Sequence, residues 1–209
     1  MWLDKSYTYL QTSTLTLRRI TKPDSEWVLP SFQRDVVWDA DRQAAFCNSV
    51  VRGLPTASVL VWNRYIAGRS VAIVLDGQQR LTSIGATVIR SDGTRNPPPK
   101  AFFDPATGRF TTNPGRWALT AKDVCSFDYT VYRKKADELE ETDPEGYDVW
   151  DHLIFARDMV GDKQIVLHII DERATPEFVV DAFRAINQPG VQFDQAEVER
   201  LVQSAVDFR

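Results

Sequence analysis

The chain has 209 residues, 43% of them hydrophobic and 11% aromatic, enough to bury a sizeable core and too much for a disordered polymer. Its two cysteines, Cys47 and Cys125, belong to no Cys-x-x-Cys pair, which argues against a disulfide scaffold or zinc ribbon and for a reducing cytoplasm. The net charge of -4 disfavours a dedicated nucleic-acid binder, but residues 1–116 hold 15 Lys and Arg against 9 Asp and Glu while residues 117–209 hold 10 against 20, so a basic half precedes an acidic one.

In chain order, an N-terminal segment containing TLTLRRI (14–20) carries no decisive pattern. EWVLPSFQRDVVW (26–38) reads as a short extended run interrupted at Pro30. Asp39 or Asp41 can cap a helix over about 40–52, with Ala45, Phe46, Val50 and Val51 as its apolar side and Gly53 as its stop. SVLVW (58–62) and VAIVL (71–75) are nearly continuous apolar runs, predicted as strands of one sheet joined by the loop NRYIAGR. Leu81, Ile84, Gly85, Val88 and Ile89 have helical spacing and predict a helix over about 78–90. SDGTRNPPPK (91–100) is a loop, and AFFDPATGRFTT (101–112) a hairpin turning at Asp104 to Gly108. From 117 to 160 the pattern is helical, with a polar helix near 130–141 and another carrying Tyr147, Trp150, Ile154 and Phe155. KQIVLHII (163–170) returns to strand, Thr175-Pro176 opens a helix that ends at NQPG (187–190), and Asp194 with Glu197 has the spacing of a capping box for a last helix. The expectation is one α+β domain over 1–209, with a motif-bearing core at about 26–116 and a mainly helical acidic part at about 117–209. No apolar run is long enough to span a bilayer and the N-terminus lacks a signal-peptide pattern, so a cytoplasmic protein without membrane partners is expected.

The chemistry concentrates in IVLDGQQRLTSI (73–84). A strand ending at Asp76-Gly77 and passing directly into a helix puts free amides at a helix N-terminus, where anions are favoured. Gly77 permits positive φ and close approach of a ligand, Arg80 can grip a phosphate, and Gln78 and Gln79 can meet a base, a sugar or a water. Asp76 beside a phosphate needs a magnesium ion, an ordered water or an arginine. The competing reading is plain turn chemistry, with Arg80 doing no more than pairing with Asp76. Upstream, LPSFQRDVVWD (29–39) sets Gln33 and Arg34 after a strand, so that two Gln-Arg pairs could converge on one ligand.

LPSFQRDVVWD, NSVVRGLP (48–55), VLDGQQRLTSI and FRAINQPGVQFDQAEV (183–198), in that order, resemble the N-terminal domain of GmrSD-type modification-dependent restriction proteins. The four blocks span about residues 29 to 198. The resemblance implies a ParB/sulfiredoxin-like fold, a small mixed sheet with surrounding helices. It also implies a domain that binds and hydrolyses nucleoside triphosphates in a restriction or anti-phage system. By position it carries over Gln33, Arg34, Gly77, Gln78 and Asn187 as nucleotide-binding groups and Asp76, Gln79 and Arg80 as catalytic ones, with Mg2+ at Asp76. Asn187 is equally readable as a helix C-terminal residue before Pro189 and Gly190. The chain departs from large family members in lacking the histidine- and cysteine-rich nuclease part: His152 and His168 are the only histidines, each read as a packed or surface residue.

Three functions follow. The first is a magnesium-dependent triphosphate hydrolase in which Asp76 positions metal or water, Gln79 orients the water and Arg80 holds phosphate. The second is a non-catalytic subunit controlling a separate nuclease partner. The third, a domain that nicks DNA itself, ranks lowest for want of a nucleophile or metal cluster. Arg18, Arg19, Lys22, Arg64, Arg69, Arg90 and Arg95 are candidates for DNA contact, each individually read as solvated.

Overall fold

A computed structural model of the chain describes residues 9–22, 27–30, 35–66, 68–113, 119–126, 143, 152–153, 156–187, 196, 199–200 and 203. Its centre is a six-stranded mixed sheet. The strands are β1 (Leu10–Thr16), β2 (Trp27–Leu29), β3 (Val59–Ile66), β4 (Arg69–Asp76), β5 (Val88–Arg90) and, much later, β8 (Gln164–Ile170). Their spatial order is β1-β8-β3-β4-β2-β5. β8 runs antiparallel to β1 and parallel to β3, β3 and β4 are antiparallel, and β2 lies parallel to both β4 and β5. A strand from the acidic half therefore sits inside the sheet, between β1 and β3. The small hairpin of β6 (Phe102–Asp104) and β7 (Arg109–Thr111) forms where the Asp104–Gly108 turn predicts it.

The sheet is covered on both faces, which is why its inner strands read as unbroken apolar runs rather than alternating ones. Val59, Val61 and Val74 face a core shared with α1 (Leu17–Ile20), α2 (Ala40–Val51), α3 (Gln78–Ser83) and α4 (Ala121–Cys125). The intervening Leu60, Trp62, Ile73 and Leu75 face the other side and pack with Val179 and Phe183 of α5 (Pro176–Asn187). Thr175 caps α5 by accepting from the Phe178 N–H at 3.3 Å.

Three expectations change. The 78–90 helix stops after six residues: Gly85 at φ +76, with Gly85 N–H on Thr82 O (3.0 Å) and Ala86 N–H on Leu81 O (3.0 Å), closes α3 in a Schellman turn. Val88 and Ile89, helical by spacing, instead join β5 beside β2. Asn96 holds this geometry, accepting from Val88 N–H at 2.8 Å and donating to Ala86 O and Thr82 Oγ1, each at 3.1 Å. Second, most of NRYIAGR is strand, not loop: pairing continues to Ile66↔Arg69. Third, α2 is capped by Asp39, one of the two expected candidates, accepting from Arg42 N–H at 2.8 Å, and Val50 and Val51 are buried as expected, but Gln43, Ala44 and Cys47 complete the buried stripe while Ala45 is exposed. The 130–141 helix, Tyr147, Trp150, Ile154, Phe155, Asp194 and Glu197 lie outside the described residues.

Candidate functional site

The pairing of β3 with β4 shifts just before the DGQQR turn. Val61 pairs with Val74, but Leu60 pairs with Asp76, so Leu75 is an extra residue in β4. Such bulges bend a strand and re-aim the side chains that follow. Directly after it, Gly77 takes φ +103 as the residue before α3. A Cβ there would stand 2.8 Å from Val59 Cγ2 and 3.1 Å from the Val59 Cα. The glycine thus lets the turn lie against β3, a packing reason for its presence that a strand-Asp-Gly-helix pattern does not disclose.

Asp76 and Arg80 are an ion pair across this turn, Arg80 Nη2 donating to Asp76 Oδ2. The Arg80 side chain is 14% exposed, so the guanidinium is held in a fixed orientation at the edge of the protein interior. Among the described residues its Nε is buried with no acceptor, and so is the Nε2 of Gln78, a residue 5% exposed. A buried donor left unmatched costs about 1–3 kcal/mol. Two of them within three residues of one turn is the site's most informative feature.

Gln79 does something different. Its Oε1 accepts from the N–H groups of both Val37 and Trp38, each at 3.1 Å, and its Nε2 donates to Asp35 O at 3.1 Å. The sequence expectation that Gln79 orients a water therefore changes, because its amide is committed on both ends to the 35–38 segment. Arg90 holds the same segment through Asp35 (2.9 Å), Gln43 Nε2 donates to Trp38 O (3.3 Å), and Trp38 packs edge-on to Phe46 with Arg42 over its ring. Gln33 and Arg34 lie outside the described residues, but the segment that follows them is docked on the DGQQR helix. Sequence reading missed Gln43, whose Oε1 also accepts from Lys100 N–H at 2.8 Å, because a glutamine on an amphipathic helix looks like a surface residue.

Asn187 is the last residue of α5, and its Nδ2 donates back to Phe183 O at 2.9 Å, the behaviour of a helix-terminal amide. α5 packs over Leu60 and Leu75, the face on which β4 ends. His168 sits on β8 with Nδ1 3.0 Å from Thr12 Oγ1. Burial pushes the thiol of Cys125 up to about 11 and that of Cys47 higher still, so neither cysteine offers a thiolate at neutral pH. Among the described residues no group of three His, Cys, Asp or Glu could cage a metal. The turn itself offers one carboxylate, Asp76, already engaged by Arg80.

The geometry so described, a strand, a bulge, Asp-Gly and an arginine-bearing helix, falls within residues 16–203, which match the family model of the GmrSD restriction endonuclease N-terminal domain. The chain belongs to that family. No curated protein matches it. It is thus a domain of GmrSD-type restriction systems, and among its described residues no helix is long and apolar enough to cross a membrane.

Proposed function

We propose that the DGQQR turn of this GmrSD domain binds a nucleoside triphosphate with its magnesium and hydrolyses it in the service of DNA restriction. The observation that carries this reading is the pair of buried, unmatched donors, Gln78 Nε2 and Arg80 Nε, on a turn whose arginine is already oriented by Asp76. Phosphate and ribose oxygens are acceptors, and would relieve that cost once side-chain movement on binding admits them to the two sealed donors. Arg80 in this reading holds phosphate, Asp76 fixes Arg80 and meets the ion that accompanies the substrate, and Gln79 acts indirectly by holding the 35–38 segment in place.

The test is nucleotide binding and turnover by the purified chain with magnesium. Arg80→Ala and Asp76→Ala should each abolish turnover. Gln78→Met should weaken nucleotide binding about tenfold while leaving the ligand-free protein as stable as before or more so, since an unmatched donor is removed at nearly constant volume. Binding and turnover unchanged in all three variants would remove the assignment. A second reading, a regulatory subunit that binds nucleotide without hydrolysing it and controls a separate nuclease, is favoured by the commitment of Gln79 to Asp35, Val37 and Trp38, which occupies the side chain best suited to orient a water. Calorimetric binding without phosphate release selects it.

A further inference from the structure

The six-stranded sheet has two edges, β5 on one side and β1 on the other, and they are finished differently. Successive residues of a strand turn their backbone N–H and C=O alternately to one side and the other. At β5 the outward groups belong to Val88 and Arg90, and residues 93–96 fold over them. Val88 N–H donates to Asn96 Oδ1 (2.8 Å) and Val88 O accepts from Asn96 N–H (2.9 Å). Arg90 N–H donates to Thr94 O (2.7 Å) and Arg90 O accepts from Gly93 N–H (2.9 Å). The chain closes that edge itself.

β1 is left open. Leu17 N–H donates to Lys163 O (2.8 Å) and Asp171 N–H to Tyr9 O (2.7 Å), with unbroken pairing from Leu10↔Ile170 to Thr16↔Gln164 between them. The odd-numbered residues therefore face β8, and Leu10, Thr12, Thr14 and Thr16 turn their backbone groups away from it. Thr16 is the N-cap of α1, which uses its C=O. Among the described residues nothing pairs with the other outward groups, and Gln11 to Thr14 are exposed.

An open edge is a template for another strand, and proteins guard such edges with lysine, proline, a bulge or shortness. β1 has none of these guards: it is seven residues in unshifted register, with no charge and no proline from Tyr9 to Leu17. We propose that β1 is the interface at which two copies of this chain join, antiparallel about a two-fold axis at Ser13, their sheets merging into one. Ser13 is the midpoint of the strand, so this register overlaps its whole length. Thr12 of each copy stands opposite Thr14 of the other, and the two exchange their outward N–H and C=O groups, while each Thr16 N–H reaches Leu10 O of the other copy. The side chains suit a strand that meets its own image: threonines pair across the strands and a small serine sits on the axis. Two copies of a chain of net charge -4 repel each other, and an uncharged strand is where they can approach. The interface is independent of the triphosphate reading.

The test is sedimentation equilibrium of the intact chain from micromolar to millimolar concentration, because a joint of one strand belongs with the weak interfaces. The parent should pass from monomer to dimer. Ser13→Lys and Ser13→Glu each set like charges face to face on the axis and should weaken self-association about fivefold or more. An equimolar mixture of the two variants should dimerise at least as well as the parent, a recovery that no loss of folding can imitate. Hydrogen exchange reads the two sides of the strand separately: the amides of Thr12 and Thr14 should slow about tenfold in concentrated protein, while those of Gln11, Ser13 and Leu15 keep the protection that β8 gives them. With an added oxidant, Ser13→Cys should form a linked dimer, since its Cα atoms would stand about 4.5 Å apart, and Gln11→Cys should not. The native Cys47 and Cys125 are buried and do not compete. A monomer at every concentration, or a dimer that Ser13→Lys leaves untouched, would overturn the proposal. So would a mixture of the charged variants that stays monomeric, or crosslinking at Gln11 in place of Ser13.

Discussion

The two ends of β4 each carry a glycine in the left-handed region, Gly68 at φ +84 before the strand and Gly77 at φ +103 after it. Their surroundings have nothing else in common. A Cβ at Gly68 meets no atom within 4 Å, whereas one at Gly77 runs into the side chain and the Cα of Val59. Gly68 serves only the turn of a hairpin. Gly77 serves a turn and a close approach together, at the place where the bulge, the Asp76–Arg80 pair and the unmatched donors all gather. One residue type, chosen for the same backbone reason, thus marks a connection at one end and a built site at the other, and only the neighbour across the sheet distinguishes them.

The largest expected effect is that of Gly77→Ala. A side chain at φ +103 costs about 1–2 kcal/mol in backbone strain, and forcing a methyl against a fully buried β-branched residue adds about 1–3 kcal/mol. A loss of about 2–4 kcal/mol in urea unfolding should result, after the small gain from a stiffer unfolded chain. A loss under about 1 kcal/mol would mean that α3 can slide off β3, and would break the distinction between the two glycines.

Next comes Gln79→Ala, which removes three hydrogen bonds from Asp35, Val37 and Trp38 to α3. Water can replace part of them, since Val37 is 70% exposed, so about 1–2 kcal/mol is expected. The sharper readout is amide exchange: Val37 and Trp38 should exchange about tenfold faster while the interior amides of β3 keep their protection. Gln79→Glu keeps the acceptor for both amides and should recover most of that protection. Uniform acceleration across the sheet would show that Gln79 supports the whole fold and not the docked segment.

The same contrast explains what the sequence could disclose. The strands at 58–62 and 71–75, the Asp104–Gly108 hairpin and the Thr175-Pro176 start of α5 are legible because local chemistry decides them: apolar runs, turn residues, a proline at a helix's first position. The end of α3 was not, because Leu81, Ile84, Val88 and Ile89 keep helical spacing while their tertiary partners, β2 and Asn96, draw the last two into a strand. At the candidate site, Asp76, Gln78 and Arg80 stand out in sequence as chemistry-bearing types. That Gln79 faces the 35–38 segment is a property of long-range packing over some forty positions, which spacing within one motif cannot carry. The Arg64–Trp62 stack was hidden for a related reason: residues 63–66 read as a loop, and only their pairing with β4 shows that positions 62 and 64 share a face.

Gly68→Ala is the smallest expected effect and the control for the whole comparison. The backbone cost of a left-handed alanine, about 1–2 kcal/mol, is partly offset by about 0.4–1 kcal/mol from the reduced freedom of the unfolded chain. With no atom near the added methyl, nothing further opposes it, and a net loss of about 0.5–1 kcal/mol should follow. Gly68→Asn should recover much of that, because asparagine tolerates the left-handed region. The two alanine variants together separate backbone strain from steric conflict: the strain at Gly68 is the part Gly77 shares, and the excess at Gly77 measures the contact with Val59. Equal losses at both glycines would assign everything to the backbone and leave the close approach of the DGQQR turn to β3 without energetic consequence.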